Sequence, residues 1–147
     1  MSAVNHKIKI LFLCTGNSCR SQMAEGWARH LKGDVIEAHS AGLEKHGLNH
    51  LSVKVMAEAG VDISGQQSKV IEELPIQHFD YVVTLCGHAN ETCPFFPGRK
   101  IHRGFEDPPK LAATAKNEEE VMVHYRKVRD EIKHFIESLP AALLSSV

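Results

Sequence analysis

The segment Ile8–Ser21 reads IKILFLCTGNSCRS, and it decides the predicted fold because a strand leads directly into a loop and a helix. Ile8–Leu13 is rich in large apolar residues, which indicates a buried strand. The following residues are turn-prone, and a helix is predicted from Ser18 onward. This order is typical of parallel sheets in α/β proteins, in which ligands bind beyond the carboxyl ends of the strands.

Within this loop, Cys14 and Arg20 are separated by five residues, and they predict a pocket for a tetrahedral oxyanion with a nucleophile at its floor. A cysteine is nucleophilic as the thiolate, and loop N–H groups and a helix N-terminus lower the pKa of a thiol while they hold an anion. An arginine can bind two oxygens of that anion at once, which a lysine cannot. The predicted oxyanion-binding residues are Thr15, Gly16, Asn17, Ser18, Cys19 and Arg20.

Three further residues of the loop have expected roles. Gly16 and Asn17 tolerate positive φ, so successive N–H groups can point into one concavity. The Ser21 hydroxyl is expected to donate a hydrogen bond to the sulfur of Cys14. The alternative is a chance Cys-x5-Arg spacing on a structural turn, but the preceding strand, the following helix and the glycine in the loop favour a functional site.

Composition limits the possible partners and locations. The chain has 147 residues, a formal net charge of −1 and four cysteines. We therefore expect a single domain over residues 1–147, no nucleic-acid partner and no membrane association. The apolar segment near the N-terminus is too short for a signal peptide, so we expect a cytoplasmic protein whose cysteines are catalytic or bind metal. The ten histidines are scattered, and we expect them at or near the surface rather than as metal ligands.

The rest of the chain alternates between predicted strands and helices, which indicates an α/β fold. It predicts a single three-layer domain in which a four-stranded parallel sheet is flanked by helices. Strands are predicted at Ile8–Leu13, Val35–His39, Asp80–Leu85 and Ile101–His102. Helices are predicted at Cys19–Lys32, Leu51–Ala59, Ser68–Leu74 and Glu118–Leu139, with Ser40–Gly47 as a loop.

Two more cysteines, Cys86 and Cys93, have a less specific pattern. Cys86 follows the third predicted strand as Cys14 follows the first, so both are expected at the same edge of the sheet. The six residues between Cys86 and Cys93 allow a disulfide if the segment can move. Two unrelated buried cysteines are an alternative, and a zinc site that includes His88 is another, although it lacks an obvious fourth ligand.

Asp107 lies in the segment Gly104–Pro109, which reads GFEDPP and precedes the long terminal helix. An aspartate in a proline-stiffened loop has a fixed reach, which suits a general acid that protonates a leaving oxygen. A helix-capping carboxylate is the equally plausible structural interpretation.

With these motifs together, the chain resembles the thioredoxin-coupled arsenate reductases, which have the low-molecular-weight protein tyrosine phosphatase fold. The resemblance covers nearly the whole chain. It rests on CTGNSCRSQ at 14–22, MAEGW at 23–27, SAG at 40–42, VTLC at 83–86, Cys93 and Asp107-Pro108. The loop and Asp107-Pro108 are shared with the phosphatases, whereas the added cysteine pair is typical of the reductases.

The resemblance implies reduction of arsenate to arsenite and a role in arsenic detoxification, with phosphate or sulfate as analogues of the substrate. Cys14 attacks the arsenic while Arg20 neutralises charge and Asp107 protonates the departing oxygen. Cys86 then attacks the Cys14 sulfur and arsenite leaves. Cys93 next attacks Cys86, and thioredoxin reduces the Cys86–Cys93 disulfide. The family implies thioredoxin as electron donor, and we expect a monomer with no bound cofactor or metal.

Three positions qualify the resemblance. Cys19 lies inside the loop, but its side chain is expected to point away from the anion, so a structural role is predicted. Some family members bind potassium near the loop asparagine through a later carboxylate, and Lys69 occupies that position, so no potassium dependence is predicted. Arg103 stands where relatives often have tryptophan, which alters the expected pocket wall.

Two other functions are compatible with parts of this pattern. A phosphatase acting on phosphotyrosine or small phosphoesters needs Cys14, Arg20 and Asp107 but has no use for Cys86 and Cys93. A metal-binding or arsenite-sensing module would use the cysteines as ligands, but it would leave Arg20 and Asp107 without a purpose.

Overall fold

The computed structural model describes residues 7–87, residue 89 and residues 99–144. A four-stranded sheet in the order β2-β1-β3-β4 is flanked by helices, and its neighbouring strands are parallel. This confirms the predicted fold class. The strands are β1 (Ile8–Cys14), β2 (Ile36–Gly42), β3 (Tyr81–Thr84) and β4 (Arg99–His102). The helices are α1 (Arg20–Lys32), α2 (His50–Glu58), α3 (Pro108–Leu111), α4 (Glu118–Glu137) and α5 (Ala141–Leu144), with 3-10 turns at Ile71–Glu73 and Ala112–Thr114.

The central strand β1 is apolar on both sides because helices or loops cover both faces of the sheet. Side chains alternate between the faces of a strand. Ile10 and Phe12 accordingly pack into the larger core with α1, α2 and α4. Leu11 and Leu13 pack into a smaller core on the opposite face. The continuous apolar run in the sequence is thus explained by burial of both faces.

The register of the sheet brings the ends of three strands to one edge. Cys14, the last residue of β1, pairs with Gly42, the last residue of β2. Leu13 pairs with Thr84 at the end of β3, and the N–H of Leu85 donates to the Leu13 carbonyl at 2.9 Å. The residues that follow β1, β2 and β3 are therefore neighbours, which is the arrangement that the positions of Cys14 and Cys86 predicted.

Some predicted boundaries differ from the observed ones. β2 extends to Gly42, so the predicted loop 40–47 is strand for its first residues, because Ser40 and Ala41 continue to pair with β1. The helix predicted at 68–74 is only the 3-10 turn at Ile71–Glu73. That short turn suits a segment that ends at Pro75, since the residue before a proline avoids helical conformation.

The terminal helix α4 packs one apolar stripe against the core, as predicted. Its buried side chains are Met122, Tyr125, Val128, Ile132, Phe135 and Ile136. The Asn117 side chain caps its first turn by accepting from the N–H of Glu120 at 2.9 Å. Trp27 of α1 donates through Nε1 to the carbonyl of Arg129 at 3.2 Å, which ties α1 to α4. In the part of the chain that the structure describes, no helix is both long and apolar enough to cross a membrane.

Gly26 of α1 provides a test of this packing. A Cβ at this position would lie 2.5 Å from Cγ2 of Ile63 and 3.3 Å from Cε of Met56. Alanine favours a helix over glycine by about 1 kcal/mol, but overpacking a core typically costs about 1–3 kcal/mol. We predict that Gly26→Ala lowers the free energy of unfolding by about 1 kcal/mol in chemical denaturation, despite the better helix former.

The matched control is the same change in an Ile63→Leu background, since leucine lacks the γ2 methyl group that the new Cβ would meet. In that background Gly26→Ala should be neutral or stabilising. If Gly26→Ala stabilises the protein that keeps Ile63, the close contact between α1 and Ile63 is not a constraint.

Candidate active site

The loop between β1 and α1 is held by the buried side chain of Asn17. Asn17 has φ of 48°, a left-handed conformation that asparagine tolerates, and it is fully buried. Its Nδ2 donates to the hydroxyl of Ser21 at 2.8 Å and to that of Ser40 at 3.1 Å. Its Oδ1 accepts from Nε2 of Gln22 at 3.0 Å and from the N–H of Lys69 at 2.9 Å. These bonds hold the loop in a conformation in which Asn17 has a positive φ, as the sequence predicted.

The network continues beneath the loop to a buried carboxylate. Ser40 donates to Glu25, which is 2% exposed. Arg29, four residues further along α1, balances that charge through Nη2 at 2.7 Å from Oε2 of Glu25. A buried charge left unpaired would be costly, so this ion pair allows the polar network to remain inside the protein.

Gly16 has a different role from the one predicted. Within the described residues, the glycines with positive φ are Gly47 and Gly60, so Gly16 does not adopt the conformation that was expected of it. Its small size matters instead, because a Cβ at Gly16 would overlap the imidazole ring of His46. Close approach of a neighbouring side chain therefore explains this glycine.

Arg20 and Asp107 meet at the mouth of the loop. Nη1 of Arg20 donates to the carbonyl of Phe105 at 3.0 Å, and Nη2 lies 3.7 Å from Oδ1 of Asp107. Nε of Arg20 is buried and has no hydrogen-bond partner among the described residues. A buried donor without a partner is unfavourable, so this atom is available for an oxygen of a bound anion.

A cavity of about 330 Å³ lies over this loop. The structure brings the predicted nucleophile Cys14, the predicted anion ligand Arg20 and the predicted acid Asp107 together around it. The remaining lining residues are Thr15, Gly16, Ser18, Cys19, His46 and Pro109. Asp107 does not form a side-chain cap on α3, so among the described contacts the structure does not support the capping interpretation.

Cys86 lies directly against Cys14. Both thiols are free and buried, with exposed fractions of 7% and 4%. The two side chains are hydrogen-bonded to each other, the Thr15 hydroxyl lies 3.2 Å from the Cys86 sulfur, and the N–H of Ala89 donates to that sulfur at 3.4 Å. The end of β3 therefore supplies a second sulfur to the floor of the oxyanion loop.

These contacts favour ionisation of Cys86 over ionisation of Cys14. The hydrogen bond from Cys14, followed by those from Thr15 and Ala89, lowers the pKa of Cys86 to about 5. The same hydrogen bond and burial raise the pKa of Cys14, although Arg20 and the N–H of Thr15 oppose the rise. This is the reverse of the pKa shift expected for Cys14, and the physical reason is that Cys86 receives the hydrogen bonds in this arrangement.

Cys19 and Ser21 are placed on the helix side of the loop. Cys19 belongs to the larger apolar core, and burial raises the pKa of its thiol, which makes it a poor nucleophile. It also lines the cavity on one side. The Ser21 hydroxyl accepts from Asn17, so its proton remains free to donate, and its predicted bond to the Cys14 sulfur stays a prediction.

Two of the predicted groups, His88 and Cys93, lie outside the described residues. Among the residues that are described, no group of three His, Cys, Asp or Glu side chains could hold a metal ion.

Lys69 approaches Asn17 through its backbone N–H, whereas its ammonium group donates to the carbonyl of Gln67 at 3.0 Å. Arg103 stacks on the ring of Phe105, with Cζ 4.5 Å from the ring centre, but it is not among the described residues that line the cavity.

Sequence reasoning missed two contributors to the site. His46 was expected to be an ordinary surface histidine, yet it lines the cavity. The Thr15 hydroxyl, for which no role was predicted beside that of the loop N–H groups, contacts the sulfur of Cys86. The one signal for His46 was its position shortly after the second strand, whose end lies beside the end of the first.

The shared proton of the two thiols leads to a prediction for their titration. Thiolate absorbance should appear with a midpoint near pH 5, the pKa of Cys86. Cys14→Ala should move this midpoint upward, since it removes the main hydrogen bond to Cys86. Because the pKa of Cys86 in the fold lies below that of an unfolded thiol, the ionised sulfur stabilises the fold above the unfolded pKa. This contribution is lost as pH falls towards 5.

Cys19→Ala is the control, since the pKa of that thiol is raised and it should not ionise near pH 5. Ultraviolet titration of the two variants beside the wild type gives the comparison. A midpoint that stays near pH 5 in Cys14→Ala would contradict the hydrogen bond between the two thiols as the cause of the low pKa of Cys86.

Comparison with known proteins places this geometry in a family. The model of the family described as low molecular weight phosphotyrosine protein phosphatase matches residues 9–146. An arsenate reductase of Halalkalibacterium halodurans is 52% identical over 131 residues, which cover 88% of this chain and 91% of the relative. An arsenate reductase of Bacillus subtilis is 51% identical over 125 residues, covering 84% of this chain and 88% of the relative.

Solved structures give the same result. An arsenate reductase in the phosphate binding state is similar with a TM-score of 0.71 and 33% identity over 92% of this chain and 98% of its own. A low molecular weight protein tyrosine phosphatase from T. tengcongensis has a TM-score of 0.72 and 25% identity over 92% of this chain and 99% of its own. The resemblance drawn from the sequence motifs is confirmed, and the chain belongs to the low molecular weight phosphotyrosine protein phosphatase family.

Proposed function

We propose that this protein reduces arsenate to arsenite, using the oxyanion loop as the substrate site and three cysteines as the electron source. The observation that carries the proposal is the contact between Cys86 and Cys14 at the floor of the loop. A phosphatase of this fold needs one thiol, whereas a reductase needs a second sulfur that can reach the first. The curated relatives at about 50% identity that are named arsenate reductase support the same function.

The loop is suited to an anion with the size and charge of arsenate. Arg20 presents a buried Nε without a partner, and its guanidinium is held by Phe105 and Asp107. The helix N-terminus of α1 adds partial positive charge. A tetrahedral oxyanion can therefore accept a hydrogen bond from Nε of Arg20 and lie above the Cys14 sulfur.

In the first step the Cys14 thiolate attacks arsenic, a sulfur–arsenic bond forms, and one oxygen leaves as water with a proton from Asp107. The raised pKa of Cys14 opposes this step while Cys86 is in contact with it. Withdrawal of Cys86 from the loop would remove the largest cause of that rise. Arg20 and the N–H of Thr15 would then favour the Cys14 thiolate as the anion enters.

The second step uses the arrangement seen in this structure. The Cys86 thiolate attacks the Cys14 sulfur, a disulfide forms, and the sulfur–arsenic bond breaks with its electron pair on arsenic. Arsenic(V) becomes arsenic(III), and arsenite leaves. The Thr15 hydroxyl and the N–H of Ala89 stabilise the Cys86 thiolate before the attack, so it is ionised at neutral pH.

The third step transfers the disulfide away from the oxyanion loop. The Cys93 thiolate attacks the Cys86 sulfur, which frees Cys14 and leaves a Cys86–Cys93 disulfide for thioredoxin to reduce. Support comes from a thioredoxin-dependent arsenate reductase of Corynebacterium glutamicum, which has a TM-score of 0.65 and 27% identity over 95% of this chain and 65% of its own. A reducing cytoplasm, where thioredoxin works, is the matching location, and we propose a monomer with no bound cofactor.

A phosphatase activity is the second candidate, because Cys14, Arg20 and Asp107 are the groups that phosphoester hydrolysis also needs. The family match favours this activity at a low level. Among the described residues, no Phe, Tyr or Trp side chain lines the cavity, and Phe105 is not on its wall. We therefore propose arsenate reduction as the main activity.

The deciding experiment supplies arsenate, thioredoxin, thioredoxin reductase and NADPH and follows NADPH oxidation. We predict turnover by the wild type and loss of multiple turnover in Cys86→Ser and Cys93→Ser, because each variant breaks the sulfur relay at a different step. Cys19→Ser is the matched control and should keep turnover, since Cys19 takes no part in the relay.

A chromogenic phosphoester assay on the same variants separates the alternatives. Sustained arsenate turnover in either relay variant would overturn the three-cysteine mechanism. Phosphoester hydrolysis that is unaffected by these changes, together with no arsenate-dependent NADPH oxidation in the wild type, would instead establish a phosphatase.

Potassium gives a further prediction. Lys69 holds the position of the carboxylate used by potassium-binding relatives, and its backbone N–H already satisfies Asn17. Replacing sodium by potassium at constant ionic strength should leave the arsenate turnover rate unchanged. A rate that rises several-fold in potassium would show that a cation site is present despite the lysine.

A further inference from the structure

The oxyanion loop has a neighbour that the proposed mechanism does not use, the segment Leu43–His46 after β2. Its N–H groups donate along the loop: Leu43 to the Cys14 carbonyl at 3.2 Å, Glu44 to the Thr15 carbonyl at 2.9 Å, and His46 to the Gly16 carbonyl at 2.9 Å. The position of His46 relative to the loop is therefore fixed by the backbone rather than by its own side chain.

The imidazole ring of His46 packs directly on Gly16, where no Cβ would fit, and it lines the same cavity as Cys14 and Arg20. The side chain is 52% exposed, so one side faces the cavity and solvent. The backbone hydrogen bonds of its segment hold the ring beside the cavity, and the absence of a side chain at Gly16 leaves room for it.

The charge of the cavity explains why a histidine is useful there. Among the described residues that line it, Arg20 and His46 are the side chains that can carry positive charge. Arg20 already faces Asp107 at 3.7 Å, so part of its charge is balanced before any ligand binds. Arsenate near neutral pH carries up to two negative charges, as phosphate groups do. A second cation would therefore match the charge of the ligand.

We propose that His46 is a binding residue for the substrate oxyanion and that its protonated imidazole contacts an outer oxygen while Arg20 holds the inner ones. This inference rests on the proposed function and extends its substrate site. Glu44 faces the ring, with Oε1 3.4 Å from Nε2. The site thereby prefers small dianions to singly charged ones.

Several other groups influence the charge of His46 across the cavity. Glu44 belongs to its own segment, while Cys14, Cys19 and Arg20 belong to the loop and the start of α1. Asp107 comes from the loop before α3. Glu44 and Asp107 bring negative charge towards the ring, and Arg20 brings positive charge.

Steady-state kinetics with arsenate test the proposal in His46→Gln and His46→Ala. The expected result is a rise in KM of about three- to tenfold with kcat unchanged, since one partly exposed charged contact is lost and the reacting sulfurs are untouched. Glutamine keeps a polar side chain, which reports on the charge, whereas alanine removes the ring as well. His134→Gln is the matched control, because that histidine is 93% exposed on α4, and it should leave KM unchanged.

Sulfate binding gives a readout that does not depend on turnover, and sulfate stays a dianion throughout the pH range of a histidine titration. Calorimetric titration should show that the wild type binds sulfate more tightly than His46→Gln at about pH 5. This difference in affinity should shrink as pH rises to about 8, because an imidazole loses its proton in this range. Glu44→Gln should show a smaller loss of affinity than His46→Gln, because Glu44 acts through the imidazole.

The outcomes distinguish this inference from the proposed function. Equal KM and equal sulfate affinity in the wild type and both His46 variants, with normal arsenate turnover, would overturn the role of His46 alone. If the wild type binds sulfate through His46 but does not reduce arsenate, the proposed reduction fails while the anion contact stands. A fall in kcat without a change in KM would also contradict a binding role.

Discussion

The parallel pairing of β1 with β2 and β3 determines where the reacting groups lie. Because the register aligns Cys14 with Gly42 and Leu13 with Thr84, the segments after all three strands meet at one edge. The proposed nucleophile Cys14, the second sulfur Cys86 and the ring of His46 each come from a different segment. A shift of one residue in β1 would turn its side chains to the opposite face and separate the two sulfurs. Because both faces of β1 are buried, the register depends on the close packing of its side chains in the two cores rather than on an alternation of polar and apolar residues.

Competition between two thiols for one proton is the main electrostatic feature of the site. The hydrogen bond between the two thiols is the largest cause both of the lowered pKa of Cys86 and of the raised pKa of Cys14. The structure therefore favours attack by Cys86, whereas the attack on arsenate that we propose for Cys14 calls for Cys86 to move away. A relay of sulfurs can use these opposite pKa shifts. In each step the attacking sulfur is ionised while its neighbour is the sulfur that it attacks.

The sequence predicted the elements with strong local patterns. β1, α1, α2 and α4 were recognised because their apolar periodicities are regular and their ends carry turn or capping residues. The C-terminal end of β2 was predicted too early in the chain. The pairing of Ser40 and Ala41 with β1 is a tertiary interaction, which leaves no local pattern. The predicted helix 68–74 was largely wrong, because a short segment before a proline has too few residues for a reliable periodicity.

For the site, the amino-acid sequence alone determined the chemical groups: a thiol, an arginine and an aspartate in motifs with restricted conformations, and further cysteines beyond β3. These follow from residue type and local spacing. Tertiary structure alone decided which sulfur carries the charge and which histidine lines the cavity. Both depend on contacts between segments distant in the chain, such as Thr15 with Cys86 and Gly16 with His46. Proximity of that kind arises from the sheet register, so no local pattern could reveal it.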